Sequence, residues 1–172
     1  MEDLSLHILD IVENSIDAGA HQILIRILVD EARDRLIVDI VDDGRGMDQA
    51  ASERALDPFF TTRKTRRVGL GLSLFREAAR ATGGDLVVRS QPGRGTRVHA
   101  TFGYRHIDRK PIGDIAATLE TLIATHPDIR FRLRQRKNAR LIRIDSADFP
   151  ARNGEVMPDL RALRERLRAT IF

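Results

Sequence analysis

The chain has 172 residues, 42% of them hydrophobic and 31% charged, which suits one large domain, or one domain with an addition, around a buried core. It holds no cysteine, which excludes a disulfide framework and any thiolate metal site and fits a reducing compartment. No apolar run approaches the ~20 residues of a membrane span, and the opening Met1-Glu2-Asp3-Leu4 is acidic where a signal peptide is basic, so the expectation is a cytoplasmic protein with no membrane partner. The net charge of +4 is uneven. Residues 1–102 carry 14 Lys/Arg against 16 Asp/Glu, and residues 103–172 carry 15 against 9. That step predicts a module over 1–103 and a basic extension over 104–172. A basic extension suits nucleic acid or an acidic protein, but a solvated Arg-rich surface is the favoured reading of such a charge run.

Residues 3–18 predict a helix, capped by Asp3 and ended by Gly19, with Leu4, Ile8, Ile11, Val12 and Ile16 on its apolar face. Strands are expected at 22–29 and 35–41, a short helix at 48–56, a loop at 57–69 and a second long helix at 70–82 closed by Gly83-Gly84. Strands at 85–90 and 96–103 flank the turn Gln91-Pro92-Gly93-Arg94-Gly95. This order gives helices on one face of a mixed sheet, an α+β two-layer sandwich. The extension predicts a helix at 112–125, a half-buried strand where Ile129, Phe131 and Leu133 alternate with arginines, another strand at 140–145, and an amphipathic helix from Pro158.

Three segments carry chemistry. On the first helix Asp3, His7, Asp10, Asn14 and Asp17 are spaced 4, 3, 4 and 3 apart, so they share one face. Short oxygen groups there suit magnesium, which needs close approach; an exposed acidic face is the equal alternative. The strand at 35–41 runs into Asp42-Asp43-Gly44-Arg45-Gly46-Met47. A carboxylate at the end of a buried strand needs a partner, and an adenine amino group is a suitable donor. Gly44 and Gly46 let backbone pass close to a flat ring, and Met47 can pack on it. The third segment, Gly69-Leu70-Gly71-Leu72-Ser73, opens the second long helix, where backbone N–H groups and the helix dipole form an anion site. Ahead of it, Phe59 and Phe60 can anchor a loop whose Arg63, Lys64, Arg66 and Arg67 would cover phosphates.

In this order the segments resemble the ATP-binding domain of the GHKL superfamily, which includes sensor histidine kinases, anti-sigma serine kinases, gyrase B, heat-shock chaperones and mismatch-repair ATPases. Glu13-Asn14-Ser15-Ile16-Asp17-Ala18-Gly19-Ala20 is similar to the N box, Asp42 to Met47 to the G1 box, Asp57 to Thr62 to the F box, Gly69 to Ser73 to the G2 box, and Gly93-Arg94-Gly95-Thr96 to the closing glycine motif. The likeness covers about residues 3–103. It implies a Bergerat-type ATP-binding fold, with residues 104–172 as a small α+β add-on. It implies ATP and Mg2+ as ligands, with the metal on Asn14 and Asp17 beside it. Asp42 would accept from the adenine amine next to Gly44, Gly46 and Met47, and Thr96 would support that site. Phe60, Thr61, Thr62, Lys64 and Arg67 would form the lid, and Gly69, Leu70, Gly71 and Leu72 the phosphate loop. Asp10, one turn before Asn14, stands where hydrolysing and serine-kinase members keep their general base. No stretch resembles the acceptor-histidine hairpin of sensor kinases, so the whole is most similar to stand-alone histidine-kinase-like ATPase proteins. The expected function is a kinase acting on a separate protein, with a nucleotide-driven switch or slow ATPase as the alternative. A homodimer is compatible with the apolar helix faces of the extension. Nucleic acid is the weakest expectation, because few aromatic residues interleave the arginines.

Overall fold

A computed structural model describes residues 3–57, 70–150 and 159–168. In chain order it contains α1 (Leu4–Asp17), β1 (Gln22–Asp30), β2 (Arg35–Asp42), α2 (Gln49–Arg54), α3 (Leu70–Arg80), β3 (Asp85–Gln91), β4 (Gly95–Gly103), α4 (Ile115–Thr125), β5 (Arg130–Lys137), β6 (Arg140–Asp145), a 3-10 turn at Ser146–Asp148 and α5 (Leu160–Leu167). The expected α+β sandwich is present, with each expected element displaced by at most a few residues at its ends.

One six-stranded sheet runs in the order β3-β4-β2-β1-β5-β6. All neighbours are antiparallel except β1 and β5, which pair in parallel from Gln22 opposite Arg130 to Val29 opposite Lys137. The alternation along each strand puts one set of side chains on the helix side: Leu36, Val38 and Ile40 of β2, Ile23, Ile25, Ile27 and Val29 of β1, Phe131 and Leu133 of β5, and Ile142 and Ile144 of β6, all nearly or fully buried. Leu4, Ile8, Ile11 and Val12 of α1, Phe75 and Ala79 of α3, Leu119 and Leu122 of α4, and Leu163 and Leu167 of α5 meet them in a single hydrophobic cluster. The charge step near Tyr104 therefore follows the end of β4, while the apolar core runs on across it.

Capping fixes the helices. Asp3 accepts from the N–H of Leu6 at 3.1 Å, and Asp48, Asp114 and Asp159 cap α2, α4 and α5 in the same way. Asp85 ties α3 to β3 by accepting from Arg76 at 3.0 Å and Arg80 at 3.1 Å. The Arg76 hydrogen bond, with those of the Leu86 N–H and Arg80, holds the Asp85 carboxyl down to about 2.

The polar stripe of α1 does not face solvent along its length. His7 is 1% exposed, and its ring stacks on Phe75 of α3 at 5.1 Å. At this interior position the histidine packs as a ring in the core. Neither ring nitrogen has a hydrogen-bond partner. Burial first, and then the charge of Lys110, lower its pKa from 6.5 to about 4. Because the unfolded chain binds this proton at higher pH than the folded one, stability is full above 6.5 and is lost as pH falls toward 4. His7→Phe should keep the stack and remove that component. Urea unfolding at pH 7 and pH 4.5 should show a wild-type loss larger than the variant's by about 2–3 kcal/mol. Equal losses would show that His7 does not titrate in this window.

Candidate nucleotide site

The site is built around Asp42, the last residue of β2. Its carboxylate is on the helix-covered side of the sheet and 9% exposed. One oxygen, Oδ2, accepts from the hydroxyl of Ser15 on α1 at 2.8 Å. The other, Oδ1, accepts from the backbone N–H of Gly44 at 2.9 Å and of Thr96 on β4 at 3.1 Å. A carboxylate has about four lone-pair sites. Three are used, so one acceptor direction remains, on Oδ2.

Three glycines let backbone close around this group. A Cβ on Gly44 would lie 3.0 Å from the carbonyl of Ala18 and 3.1 Å from Asp42 Oδ1. Gly46, at φ +67°, abuts the carbonyl of Gln91, and Gly95, at φ +83°, abuts the carbonyl of Asp42. Both are backbone conformations that suit glycine, and a side chain at either would collide with main chain. The loop is then stitched to its neighbours. The Arg45 N–H donates to Ala18 O at 2.9 Å, and the Gly93 N–H donates to Arg45 O at 2.8 Å. The Met47 N–H donates to Ser90 Oγ at 2.8 Å, and that hydroxyl lies 2.9 Å from Thr96 Oγ1.

The adjacent Asp43 has a different task. It is exposed, and its Oδ1 accepts from the N–H groups of His21 and Gln22, both at 2.8 Å, which fixes the start of β1. Two neighbouring carboxylates thus point to opposite sides of the strand, one to a site and one to a turn.

On the other side of α1, Asp10 lies against the first turn of α3. A Cβ on Gly71 would collide with the Asp10 carboxylate, so glycine there lets the two helices meet. Asp10 and Asn14 are half-buried one turn apart, and Asp17 is exposed. Leu72 is half-buried and packs against the core cluster. Met47 and Thr96 are half-buried beside Asp42. Among the expected residues, Phe60, Thr61, Thr62, Lys64, Arg67 and Gly69 lie outside the described residues, and Leu70 is described only as the first residue of α3. No cluster of three or more His, Asp or Glu among the described residues can hold a metal by itself.

Ser15 and Ser90 were not singled out from sequence, although both bind the site together. A signal existed for Ser15. It sits on the apolar face of α1 with Ile8, Ile11 and Val12, and a buried hydroxyl there requires a partner. For Ser90 no such signal exists, because the partner that ties it to the glycine loop, the Met47 N–H, is 43 residues away.

Comparison with known proteins agrees with this geometry. A family model described as histidine kinase-, DNA gyrase B-, and HSP90-like ATPase matches residues 2–106, and the chain belongs to that family. It is similar to the sensor protein kinase FleS of Pseudomonas aeruginosa, 43% identical over 89 residues, covering 52% of this chain and 22% of that protein. It is also similar to the sensor histidine kinase WalK of Bacillus subtilis, 33% identical over 92 residues, covering 51% of this chain and 15% of that one. The chain therefore matches about a fifth or less of the length of these relatives. A solved structure titled as the N-terminal domain of a DNA repair protein shares the fold with a TM-score of 0.61 at 17% identity, covering 84% of this chain and 52% of the other.

Ser15→Ala should leave Asp42 short of one donor in a buried place. Chemical denaturation should show a loss of about 1–3 kcal/mol, whereas an unchanged midpoint would mean that water replaces the hydroxyl.

Proposed function

We propose that the chain binds ATP with magnesium in this site and transfers phosphate to a separate protein. The observation that carries the reading is the open lone pair on buried Asp42, flanked by Gly44 and Gly46, where a flat ring bearing an amino group fits. The family's members bind ATP with magnesium generally, and the similar proteins are kinases by name. A magnesium ion takes most of its ligands from phosphates and water and needs only one or two protein oxygens. Asn14, with Asp17 beyond it, supplies them in this reading. The N-terminus of α3 at Gly71 offers N–H groups to phosphate. Thr96 and Met47 flank the base, and the segment with Phe60, Thr61, Thr62, Lys64 and Arg67 covers the phosphates beside Gly69, Leu70 and Leu72. Asp10 would take the proton from the acceptor group as its oxygen or nitrogen bonds to phosphorus and the bond to the ADP oxygen breaks. A cytoplasmic location goes with this use of ATP; among the described residues no helix is long and apolar enough to cross a membrane.

A second reading, a nucleotide-driven switch or slow ATPase, is favoured by one contact. His126, at the end of α4, lies 3.8 Å from Glu13, next to Asn14 on α1. The extension is thus in touch with the helix that would sense the nucleotide, and could report its state without any phosphoprotein.

Asp42→Asn separates base recognition from folding. The amide oxygen can occupy the Oδ1 position and accept from Gly44 and Thr96. Its NH2 would then face Ser15, whose hydroxyl can turn wholly toward Ile11 O, 3.3 Å away. An incoming adenine amine would meet a donor instead of an acceptor. Calorimetric titration with ATP and magnesium should show binding weakened at least about 30-fold, about 2 kcal/mol, at unchanged melting temperature. Equal affinities would remove Asp42 from base recognition and this reading with it.

Asp10→Asn should leave ATP affinity unchanged. It should slow phosphate release or transfer by about 10²–10⁴-fold. Measured with radiolabelled ATP, an unaltered rate would exclude Asp10 as the base.

A further inference from the structure

The sheet has a second face that no described helix covers, and the pairing of β5 with β1 makes it basic. Arg26 of β1 lies opposite Arg134 of β5, which lies opposite Arg143 of β6. Three guanidinium side chains thus occupy one row across three adjacent strands. Like charges directly opposed in a sheet are destabilising, and the fold keeps them without local compensation. Among the described residues no carboxylate is in salt-bridge range of any of the three. The acid opposite Arg26 on the other side, Asp39, is already engaged by Arg97 at 2.7 Å and by His99 at 2.9 Å. Arg26 is left with a buried Nε that has no hydrogen-bond partner.

The neighbouring rows on this face mix aliphatic side chains with further arginines, and Leu24 faces Arg132, which faces Asp145. Leu28 faces Arg136, which faces Leu141, and Leu141 is 46% exposed. Toward the other edge Ile37 and Val41 are half-buried and Val87 is 45% exposed. The face therefore offers a cationic band with aliphatic side chains interspersed beside it.

We propose that this face docks an acidic amphipathic helix of a partner protein. Charge and apolar pattern together select that occupant. A second copy of this chain is disfavoured, because a two-fold interface would put the arginine row against itself. Single-stranded nucleic acid is disfavoured because, among the described residues, no Phe, Tyr or Trp lies on the face to stack bases. An acidic helix answers both features, with carboxylates to the guanidinium row and leucine-type side chains to the aliphatic side chains beside it. The proposal is independent of the nucleotide site and does not require that ATP bind.

The test is a charge reversal whose effects on folding and on docking have opposite signs. Arg134→Glu turns the row into alternating charges between Arg26 and Arg143, so the melting midpoint should stay or rise. Binding is read by fluorescence anisotropy with a labelled synthetic helix of about 20 residues, about 30 Å long, with Glu on one face and Leu on the other. A polyglutamate of equal charge and an oligo-dT of similar length serve as competitors. The expected result is saturable binding by the full chain, weakened tenfold or more in Arg134→Glu and in Leu141→Ser, with polyglutamate a poorer competitor than the helix. Four results would overturn the proposal: no saturable binding by the wild type, equal affinity in wild type and Arg134→Glu, tighter binding of oligo-dT than of the helix, or self-association of the wild type that Arg134→Glu abolishes. A fall in the melting midpoint of Arg134→Glu would overturn the assignment of the row as an uncompensated like-charge cluster.

Discussion

The architecture around the site depends on one buried carboxylate being satisfied. Taking Asp42 out of water would be costly if it stood alone. The donors that offset the cost come from parts of the chain far apart in sequence: Ser15 is 27 residues before it and Thr96 is 54 residues after it. The helix α1, the glycine loop and β4 can satisfy Asp42 only when all three are in place, so their folding is coupled. A carboxylate is also the group that leaves capacity over. An amide at this position has one oxygen, which the two N–H donors would consume. The carboxylate binds three donors and keeps one direction for a fourth.

How much of this was visible in the sequence varies with range. The elements were legible because their periods are local: Leu4, Ile8, Ile11 and Val12 at helical spacing, Ile23, Ile25 and Ile27 at strand spacing. The glycine loop was legible from its place among the other motifs, because two glycines after a strand are by themselves also the mark of an ordinary turn. Ser15, Ser90 and the use of Asp43 as a turn anchor were not, since each depends on a partner more than twenty residues away. The burial of His7 was not legible for a related reason. Periodicity places a residue on a face, but it does not say which element lies against that face. The register of β5 against β1 lies furthest beyond local pattern. Alternating arginines at 130, 132, 134 and 136 indicated a half-exposed strand, and nothing in their spacing put Arg134 opposite Arg26.

Along α1 one stripe serves two purposes in succession. At its first turns it is interior, with His7 against Phe75. At Asp10 it meets the first turn of α3, and at Asp17 it is exposed. Burial thus falls along the stripe as the helix runs out toward solvent. The aromatic stack sets the spacing of α1 and α3 at one end, and the missing side chain of Gly71 sets it at the other. The position of Asp10 relative to α3 is consequently a property of the core rather than of a loop.

The extension changes the sheet's edge as well as its charge. If the sheet ended at β1, that strand would present nine residues, Gln22 to Asp30, with six apolar side chains and an unpaired row of N–H and C=O groups. Such an edge invites pairing with another chain. A parallel strand can cover it only through a long crossover, and the segment from Tyr104 through α4 is that crossover. It is pinned along the way by Tyr104 N–H to Asp34 O at 3.1 Å and by Leu4 N–H to Pro111 O at 2.9 Å. The edge then passes to β6, which is shorter and carries Arg140 and Arg143, a combination that resists further pairing. Edge protection accounts for charges on β6. It does not account for Arg26 and Arg134, which lie on inner strands where hydrogen bonds are already complete on both sides. Their placement in one row has to be explained by what meets the face of the sheet, not by what threatens its edge.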